Sequence, residues 1–418
     1  MTVAALKWPR ITANWLRSPE LAKVFAALTA EGAEARVVGG AVRNTLLDRP
    51  VKDIDIATTA RPEEVIRLAR NASLGAHPTG IEHGTITVIA DKHPFEVTTL
   101  RRDIETDGRH AVVTFTTSWE EDAGRRDFTI NALYCGPDGA IYDSVGGIDD
   151  LRQRRVRFIG DPEARIREDY LRILRFFRFS AQYGRGQLDP EGLAATTALK
   201  EGLPLLSAER VSTEILKLLA APSAVDVVNA MYRSGILQLA VRTRLEPERF
   251  ARLAAIETAL GEPPDALTRL AALAVSDPSE ASFLAEELRL SNADASRLAS
   301  AVAGDPGLDP ASSDLAARTA LYKLGPETFS RAIRLAWARS GAPAADPRWR
   351  ARALLPSRWK APIMPVSGSD VLALGIAPGP NVGRILDAFE RWWMAENFPA
   401  DAERQSKMLK ELAFKTLA

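Results

Sequence analysis

The fold of this sequence is decided by two linked stretches, Val37-Val38-Gly39-Gly40-Ala41-Val42-Arg43 and Lys52-Asp53-Ile54-Asp55-Ile56. The β-branched start of the first stretch predicts a strand, and its glycine pair predicts a turn that leads into a helix. Glycine allows the positive φ and close backbone approach that such a turn needs. The N–H groups at the turn and helix start can hold a phosphate, although most Gly-Gly pairs are only turns.

The second stretch carries two acids at alternate positions. Because strand side chains alternate between faces, a strand over 53–57 places Asp53 and Asp55 on the same face. Two carboxylates this close repel each other unless water or cations neutralise them, and oxygen ligands suit a hard divalent cation such as Mg²⁺. The alternative is an exposed acidic edge. Glu96, on a later strand-like segment, can supply a third carboxylate, which favours a metal site.

Metal ions held by paired carboxylates have a specific role in phosphoryl transfer. One ion lowers the pKa of the attacking hydroxyl, and the other neutralises charge on the leaving pyrophosphate. Here the expected nucleophile is the 3′-hydroxyl of a nucleic-acid end.

Beyond these stretches, the apolar pattern divides the chain. Residues from about 36 to 160 alternate β-branched runs with helical segments, and beyond 161 apolar residues recur at helical spacing only. We therefore expect an α+β chain, with an α/β head followed by helices. The expected strands lie at 36–38, 53–57, 85–90, 95–100, 112–117 and 156–159. The predicted domains are a catalytic head at 1–160, a helical neck at 161–222, a helical body at 223–340 and a helical tail at 341–418.

Composition limits the function classes. The 418 residues carry 54 basic and 54 acidic side chains, so any RNA binding must come from local basic patches. A single cysteine, Cys135, excludes a disulfide within the chain and a cysteine zinc site, suits a small core residue, and fits a reducing cytoplasm. Neither an apolar run of about 18 residues nor a histidine beyond His110 occurs, so a membrane span and a later histidine metal site are not expected.

The N-terminal segment allows two interpretations. Lys7, Arg10 and Arg17 precede the first acid, Glu20, which loosely resembles an organelle transit peptide. We favour an amphipathic first helix, whose apolar side chains are Trp15, Leu16, Leu21 and Phe25.

Four stretches together carry a family resemblance. They are 39–43 with the Asp53-x-Asp55 pair, 125–132 (RRDFTINA), 167–175 (REDYLRILR), and 208–211 (AERV) with Glu214. Their order and spacing resemble the class II tRNA nucleotidyltransferases, which include CCA-adding enzymes and bacterial poly(A) polymerases. The likeness is strong over residues 36–220 and only general beyond. Family members often carry Asp where this chain has Asn44, which puts the local hydrogen bonding in doubt.

The resemblance implies a polymerase-β-like head that adds CCA to the 3′ end of tRNA from CTP and ATP, with Mg²⁺ as cofactor. It implies contacts with the acceptor end and elbow of tRNA, and neither DNA nor a membrane is expected as a partner. The predicted catalytic carboxylates are Asp53, Asp55 and Glu96, of which Asp53 and Asp55 are the metal ligands. The predicted nucleotide-binding residues are Gly39, Gly40, Arg43, Arg126, Asp127, Asn131, Asp169, Arg172, Arg175 and Arg178. For Arg126 the alternative is a salt bridge to a nearby acid.

The segment 168–179 predicts a helix on which Asp169, Arg172, Arg175 and Phe179 share much of one face. Spacing alone favours an ordinary ion pair between Asp169 and Arg172. The resemblance implies instead that this pair selects the base. A carboxylate only accepts hydrogen bonds and a guanidinium only donates them, which matches cytosine and adenine and rejects guanine and uracil.

Two further segments carry weaker predictions. Residues 100–110 are polar, lie between two strands and resemble the flexible loop of complete CCA-adding enzymes; the alternative is a solvated hairpin. Residues 379–383 precede a helix whose N-terminus can receive an RNA phosphate or can simply be capped. Trp392 and Trp393 near the end of that helix are expected to pack in a core.

Two alternative functions remain open. The first is an enzyme that catalyses the same nucleotidyl transfer but adds a different sequence: a poly(A) polymerase, or an enzyme that adds only CC or only A. The second is a phosphohydrolase or an inactive RNA-binding protein. The absence of histidine after His110 argues against a His-Asp hydrolase, and the acids at 53, 55 and 96 argue against an inactive protein.

Overall fold

The computed structural model describes residues 10–107, 110–304 and 306–417. The chain forms two compact units, Met1–Arg242 and Thr243–Ala418.

The first unit contains the strands of the described residues. They are β1 (Ala35–Val38), β2 (Asp55–Thr58), β3 (Gly75–Gly80), β4 (Thr85–Ala90), β5 (His93–Thr99), β6 (Arg101–Asp107), β7 (His110–Phe115), β8 (Tyr134–Cys135) and β9 (Ile141–Tyr142). Seven of them form a mixed sheet in the order β3-β4-β5-β2-β1-β8-β9, in which β2 and β5 are parallel and the other neighbours antiparallel. The remaining two form a separate hairpin.

Helices complete both units. Those of the first unit are α1 (Pro19–Thr29), α2 (Gly40–Leu46), α3 (Pro62–Asn71), α4 (Trp119–Gly124), α5 (Gly147–Arg152), α6 (Pro162–Glu168), α7 (Leu171–Tyr183), α8 (Pro190–Ala198), α9 (Ala208–Leu219), α10 (Ala224–Arg233) and α11 (Ile236–Val241). Those of the second are α12 (Pro247–Leu260), α13 (Ala266–Ala274), α14 (Pro278–Glu287), α15 (Asn292–Val302), α16 (Asp314–Ser340), α17 (Pro347–Ala353), α18 (Leu355–Arg358), α19 (Gly368–Leu372), α20 (Pro380–Ala395) and α21 (Ala402–Leu417). The α+β class expected from the sequence is confirmed.

An aromatic cluster fixes α7 against the head. Phe128, Phe158 and Phe176 are fully buried, and the rings of Phe158 and Phe176 stack with centroids 5.5 Å apart. Phe179, one helical turn further, packs on Phe128 with centroids 5.3 Å apart. Burying a phenylalanine contributes about 1.5–3 kcal/mol. The cluster therefore holds the polar face of α7 at a fixed position in the first unit.

One predicted strand is wrong: residues 156–159 form no strand and contribute only an isolated bridge between Phe158 and Phe128. The strand predicted at 112–117 is present as β7. Residues 101–107, expected as part of a flexible loop, pair with it from Arg101–Phe115 to Asp107–His110, so the hairpin considered as the alternative is the one that forms. Gly108 and Arg109 of the predicted loop lie outside the described residues.

Three packing predictions are confirmed, the first of them only in part. The first helix spans Pro19–Thr29 and buries Leu21 and Phe25, whereas Trp15 and Leu16 are half-buried in a separate 3₁₀ turn, Asn14–Arg17. Residues 1–9 lie outside the described residues. Cys135 is a buried core residue, and burial raises the pKa of its thiol to about 12. Trp393 is 2% exposed and donates its indole N–H to the Pro399 carbonyl at 3.1 Å, so it packs in the core of the second unit.

Candidate active site

The glycine turn joins β1 to α2. Gly39 has a φ of 72°, which favours glycine, and its N–H donates to the Leu133 carbonyl at 2.9 Å. A Cβ atom at this position would lie 3.4 Å from the Asn131 carbonyl oxygen. The turn therefore brings the backbone close to the segment that carries Asn131, as the sequence predicts for a glycine here.

Asp55 opens β2 in the middle of the sheet. Its register partners are Val38 on β1 and Glu96 on the parallel strand β5, so the carboxylates of Asp55 and Glu96 are neighbours on one face. Burial raises the pKa of Asp55; the charges of Glu96 and Asp53 raise it further, and Arg126 opposes them. Asp55 is thus a carboxylate whose ionised form is disfavoured first by burial and then by two neighbouring acids.

Asp53 does not belong to a strand. The predicted strand over 53–57 is wrong at its start, because β2 begins at Asp55. Asp55 pairs with Val38, the last residue of β1, and the glycine turn that follows leaves nothing for Asp53 to pair with on that side. Face alternation therefore does not place Asp53. Its side chain is exposed, and it remains close enough to raise the pKa of Asp55.

The acids fit a cation whose coordination is completed by substrate. Among the described residues, no group of three or more His, Cys, Asp or Glu side chains forms a complete metal-binding set. Mg²⁺ is usually held by one or two carboxylates together with water and substrate phosphates, rather than by an all-protein cage. A bound cation would offset the burial and the neighbouring acids that raise the pKa of Asp55, so the donor set suits such an ion.

A cleft of about 390 Å³ opens beside Asp55 and gathers most of the predicted residues. Its lining consists of Gly39, Gly40, Arg43, Asp55, Arg125, Arg126, Asp127, Asn131, Asp169, Arg172, Arg175 and Phe179. Of the predicted site residues, Asp53, Glu96 and Arg178 fall outside the described lining. The cleft thus combines an acidic end with several guanidinium groups.

Arg126 is anchored by a buried carboxylate. Its Nη2 lies 3.0 Å from Oδ2 of Asp122, and the same oxygen accepts from the Tyr134 hydroxyl at 2.7 Å. The other carboxylate oxygen, Oδ1, accepts from Nε of Arg125 at 2.9 Å. Burial alone would raise the pKa of Asp122, but the two arginines lower it to about 2. The salt bridge considered as an alternative for Arg126 therefore exists, and Arg126 lines the cleft as well.

Asp127 fixes Arg175 on the opposite wall. Arg175 Nε donates to Asp127 Oδ2 at 2.8 Å, while Oδ1 accepts from Asn131 Nδ2 at 2.8 Å and from the Phe128 backbone N–H at 2.9 Å. Burial would raise the pKa of Asp127, but Arg175 and Asn131 lower it overall. Because its oxygens are engaged by these donors, Asp127 orients Arg175 and Asn131 toward the cleft.

Asn44 supplies a hydrogen-bond acceptor beside Arg43. Its Oδ1 accepts from Arg43 Nη2 at 3.2 Å and from the Tyr183 hydroxyl at 3.2 Å. Its amide also donates to the Pro50 carbonyl at 3.1 Å. The amide therefore provides an acceptor to Arg43 and Tyr183 and a donor to Pro50, without placing a charge beside Arg43.

The expected helix around Asp169 is interrupted there. α6 ends at Glu168, α7 begins at Leu171, and Asp169 has an extended backbone with φ −157°. The ion pair between Asp169 and Arg172 that spacing favoured is absent from the described contacts. Asp169 Oδ2 instead accepts from Arg210 Nη2 at 2.6 Å, and Arg172 pairs with Glu168. Asp169 and Arg172 both still line the cleft.

Arg178 lies behind the cleft wall. Its Nε donates to Glu214 on α9, which also lies 3.9 Å from Arg175 Nη1. The motif that contains Arg210 and Glu214 thus braces α7 from outside the cleft, through Asp169 at one end and Arg178 at the other.

Sequence reasoning missed several residues that support the site. Asp122 stands four residues before Arg126 at helical ion-pair spacing, so that signal was available. Tyr134 and Tyr183 gave no signal, because their partners Asp122 and Arg43 are brought to them only by the fold.

Two family profiles match the first unit. One, described as "Poly A polymerase head domain", covers residues 35–157, and the other, "Probable RNA and SrmB- binding site of polymerase A", covers 187–241. The Mus musculus protein "CCA tRNA nucleotidyltransferase 1, mitochondrial" is 32% identical over 420 residues, which span 95% of this chain and 93% of that protein. The chain belongs to the CCA tRNA nucleotidyltransferase family.

Two other members of the tRNA nucleotidyltransferase family are similar to this chain. The Danio rerio protein of the same name is 46% identical over 211 residues, which cover 49% of this chain and 48% of the relative, so this match spans about half of that relative's length. A solved structure, the Bacillus stearothermophilus CCA-adding enzyme in complex with CTP, is 28% identical with a TM-score of 0.70 and covers 96% of this chain and 99% of that one.

Two further findings concern the metal cofactor and the possibility of a membrane-spanning helix. Nucleotidyltransferases of this family generally use a divalent metal ion, in agreement with the acids beside the cleft. In the part of the chain that the structure describes, every helix is too short or too polar to cross a membrane.

Proposed function

We propose that this chain adds CCA to the 3′ end of tRNA from CTP and ATP without a nucleic-acid template and releases pyrophosphate. One observation carries the proposal: the crowded carboxylate Asp55 lines the same cleft as Arg43, Arg126 and Arg175. A reaction between a sugar hydroxyl and a triphosphate needs a cation site and a basic wall side by side.

The acids and the arginines of the cleft have different roles. Asp53 and Asp55 would hold the metal ions, and Glu96, in register with Asp55, would add negative charge that favours a divalent cation. Mg²⁺ bound there would lower the pKa of the 3′-hydroxyl and neutralise charge on the departing pyrophosphate. The arginines bind the triphosphate, since a guanidinium can engage phosphate oxygens in a bidentate manner. Gly39 and Gly40 let the phosphates approach the backbone at the start of α2.

Asp169 and Arg172 select the base. Cytosine and adenine each present an amino donor beside a ring-nitrogen acceptor, whereas guanine and uracil present the reverse. Asp169 already accepts from Arg210 and from the Leu171 N–H at 3.0 Å. A carboxylate offers about four acceptor positions, so it can also receive the amino group of the base.

Asp169→Ala is expected to reduce the preference for CTP over UTP by about 5- to 150-fold, because an unpaired polar group costs about 1–3 kcal/mol. Incorporation of each labelled nucleotide into truncated tRNA measures this preference. The matched control is Glu163→Ala, which removes an exposed carboxylate that pairs with Arg167 on α6. If the incorporation ratios of Asp169→Ala equal those of the parent, this role is wrong.

The proposal includes the binding partners of the chain and the roles of its predicted domains. The B. stearothermophilus structure was solved with CTP, and the vertebrate relatives are named as tRNA enzymes. We assign the acceptor end of tRNA to the head (1–160) and neck (161–222), and its elbow to the tail (341–418), where α20 begins after Gly379. The body (223–340) lies between the neck and the tail in the sequence. The single buried Cys135 supports a cytoplasmic location, which fractionation of cells expressing the tagged chain tests.

The competing products are separated by one incubation. Truncated tRNA, CTP, ATP and Mg²⁺ are combined with the chain, and the products are sequenced. Addition of CCA in that order, without extension beyond A, supports the proposal. Tails of adenosine, or products ending in CC or a single A, would replace it with the corresponding alternative, and no extension would overturn it.

A further inference from the structure

Arg43 is a buried cation with neutral partners. Its side chain donates to Oδ1 of Asn131, to Oδ1 of Asn44 at 3.2 Å and to the Tyr183 hydroxyl at 2.8 Å, and the residue is only 7% exposed. Among the ion pairs of the described residues, none includes Arg43. Burial lowers the pKa of its guanidinium, with Tyr183 and Asp127 acting in the opposite direction.

The other arginines of this region contact carboxylates directly. Arg126 pairs with Asp122 and Arg175 with Asp127. Arg178 pairs with Glu214. These ion pairs neutralise part of each charge before any ligand arrives. Arg43 differs because neutral hydrogen-bond partners hold its guanidinium in place, and no carboxylate is among its described contacts.

Two aromatic rings lie beside the Arg43 guanidinium. The Cζ atom of Arg43 lies 4.3 Å from the centroid of the Tyr183 ring and 5.4 Å from that of Phe179. The two rings stack on each other at 5.8 Å with an interplanar angle of 23°. The negative face of an aromatic ring attracts a cation within about 6 Å and leaves its formal charge intact.

The Phe179 ring lies within cation–π distance of three arginines. Arg178 lies 4.1 Å and Arg175 5.2 Å from its centroid, in addition to Arg43. Phe179 is 5% exposed and lines the cleft, so these contacts are largely shielded from water. Cation–π attraction is strongest in such desolvated surroundings.

We infer that Phe179 and Tyr183 are positioning residues that hold Arg43 in the cleft without neutralising it, which leaves its full charge for the phosphates of the incoming nucleotide. The inference rests on the proposed function, in which Arg43 binds the triphosphate. It adds that the strength of this binding depends on the electron density of the Phe179 ring.

Fluorinated phenylalanines at position 179 test this dependence directly. One, two and three ring fluorines weaken the cation attraction stepwise with little change of shape. The dissociation constant of CTP, measured by calorimetry with Mg²⁺ present, is expected to rise stepwise to a total of about two- to thirtyfold. The control series is Phe177 on the same helix, fully buried against Phe176, where the same fluorines should leave the constant unchanged.

A second variant adds a negative charge beside Arg43. Asn44→Asp places a carboxylate about where Oδ1 now accepts from Arg43, so the affinity for CTP is expected to fall at least threefold. A flat Phe179 series, an equal slope at Phe177 or an unchanged constant in Asn44→Asp overturns the inference. If the parent binds CTP in such a case, the proposed function stands, whereas a parent that fails to bind CTP overturns both.

Discussion

Replacing Asp55 with asparagine is expected to slow nucleotide transfer by about a thousandfold or more. The exchange keeps the size of the side chain and removes the charge that holds the cation, and metal ions contribute several kcal/mol to such reactions. Single-turnover incorporation of CMP into truncated tRNA measures the rate. Asp91→Asn is the control, because Asp91 is an exposed acid in the same unit that contacts Lys23. A rate within tenfold of the parent would contradict the role of Asp55.

The same exchange is expected to stabilise the metal-free protein at neutral pH. The pKa of Asp55 is raised by burial and by Glu96 and Asp53, so its ionised form opposes folding. This cost is absent below the ordinary carboxyl pKa, develops as the pH rises from that value to the raised one, and is fully present above it. Asp55→Asn should therefore increase the free energy of unfolding by about 0.5–2 kcal/mol at pH 7 and have little effect near pH 4. Denaturant unfolding at both pH values in the presence of a chelator measures the difference.

Replacing Asp122 with alanine is expected to destabilise the first unit by about 3–5 kcal/mol. Asp122 is 1% exposed and accepts from two arginines and Tyr134, and removal of one partner leaves buried charges uncompensated. Denaturant unfolding measures the loss. Because Arg126 loses its anchor, the KM for CTP should also rise.

The stabilisation by Asp122 has a defined pH range. Its pKa is lowered to about 2, so the stabilisation is present above the ordinary carboxyl pKa and is lost as the pH falls toward 2. The parent and Asp122→Ala should therefore converge in stability below pH 4. The control is Asp149→Ala, an exposed acid paired with Arg152, which should change stability by about 0.5 kcal/mol or less. Equal losses for the two variants would show that the buried network is not stabilising.

The sequence predicted the parts of the site that have local signals. The glycine turn, the acids around position 55 and the arginine spacing of α7 are visible as short patterns. Long-range partners are not: Asp169 pairs with Arg210, 41 residues away, where helical spacing favoured Arg172. Spacing reports which side chains can meet within one element, and a partner from another helix can displace them.

The strand errors have a similar cause. Residues 75–80 contain glycine, histidine and proline and are mostly exposed, so nothing in their composition favours a strand; pairing with β4 makes them one. Residues 156–159 have the composition of a strand, but Phe158 packs into the aromatic cluster and finds only one bridge partner, Phe128. Strand identity depends on neighbours that a single sequence does not reveal.

The most direct measurement is the position of metal ions in crystals of the chain grown with CTP and Mn²⁺, located by anomalous scattering. We expect manganese in contact with the carboxylates of Asp53 and Asp55 and with the phosphates of CTP, while Arg43, Arg126 and Arg175 contact the triphosphate. Manganese remote from Asp55, or CTP bound outside the cleft, would contradict the account.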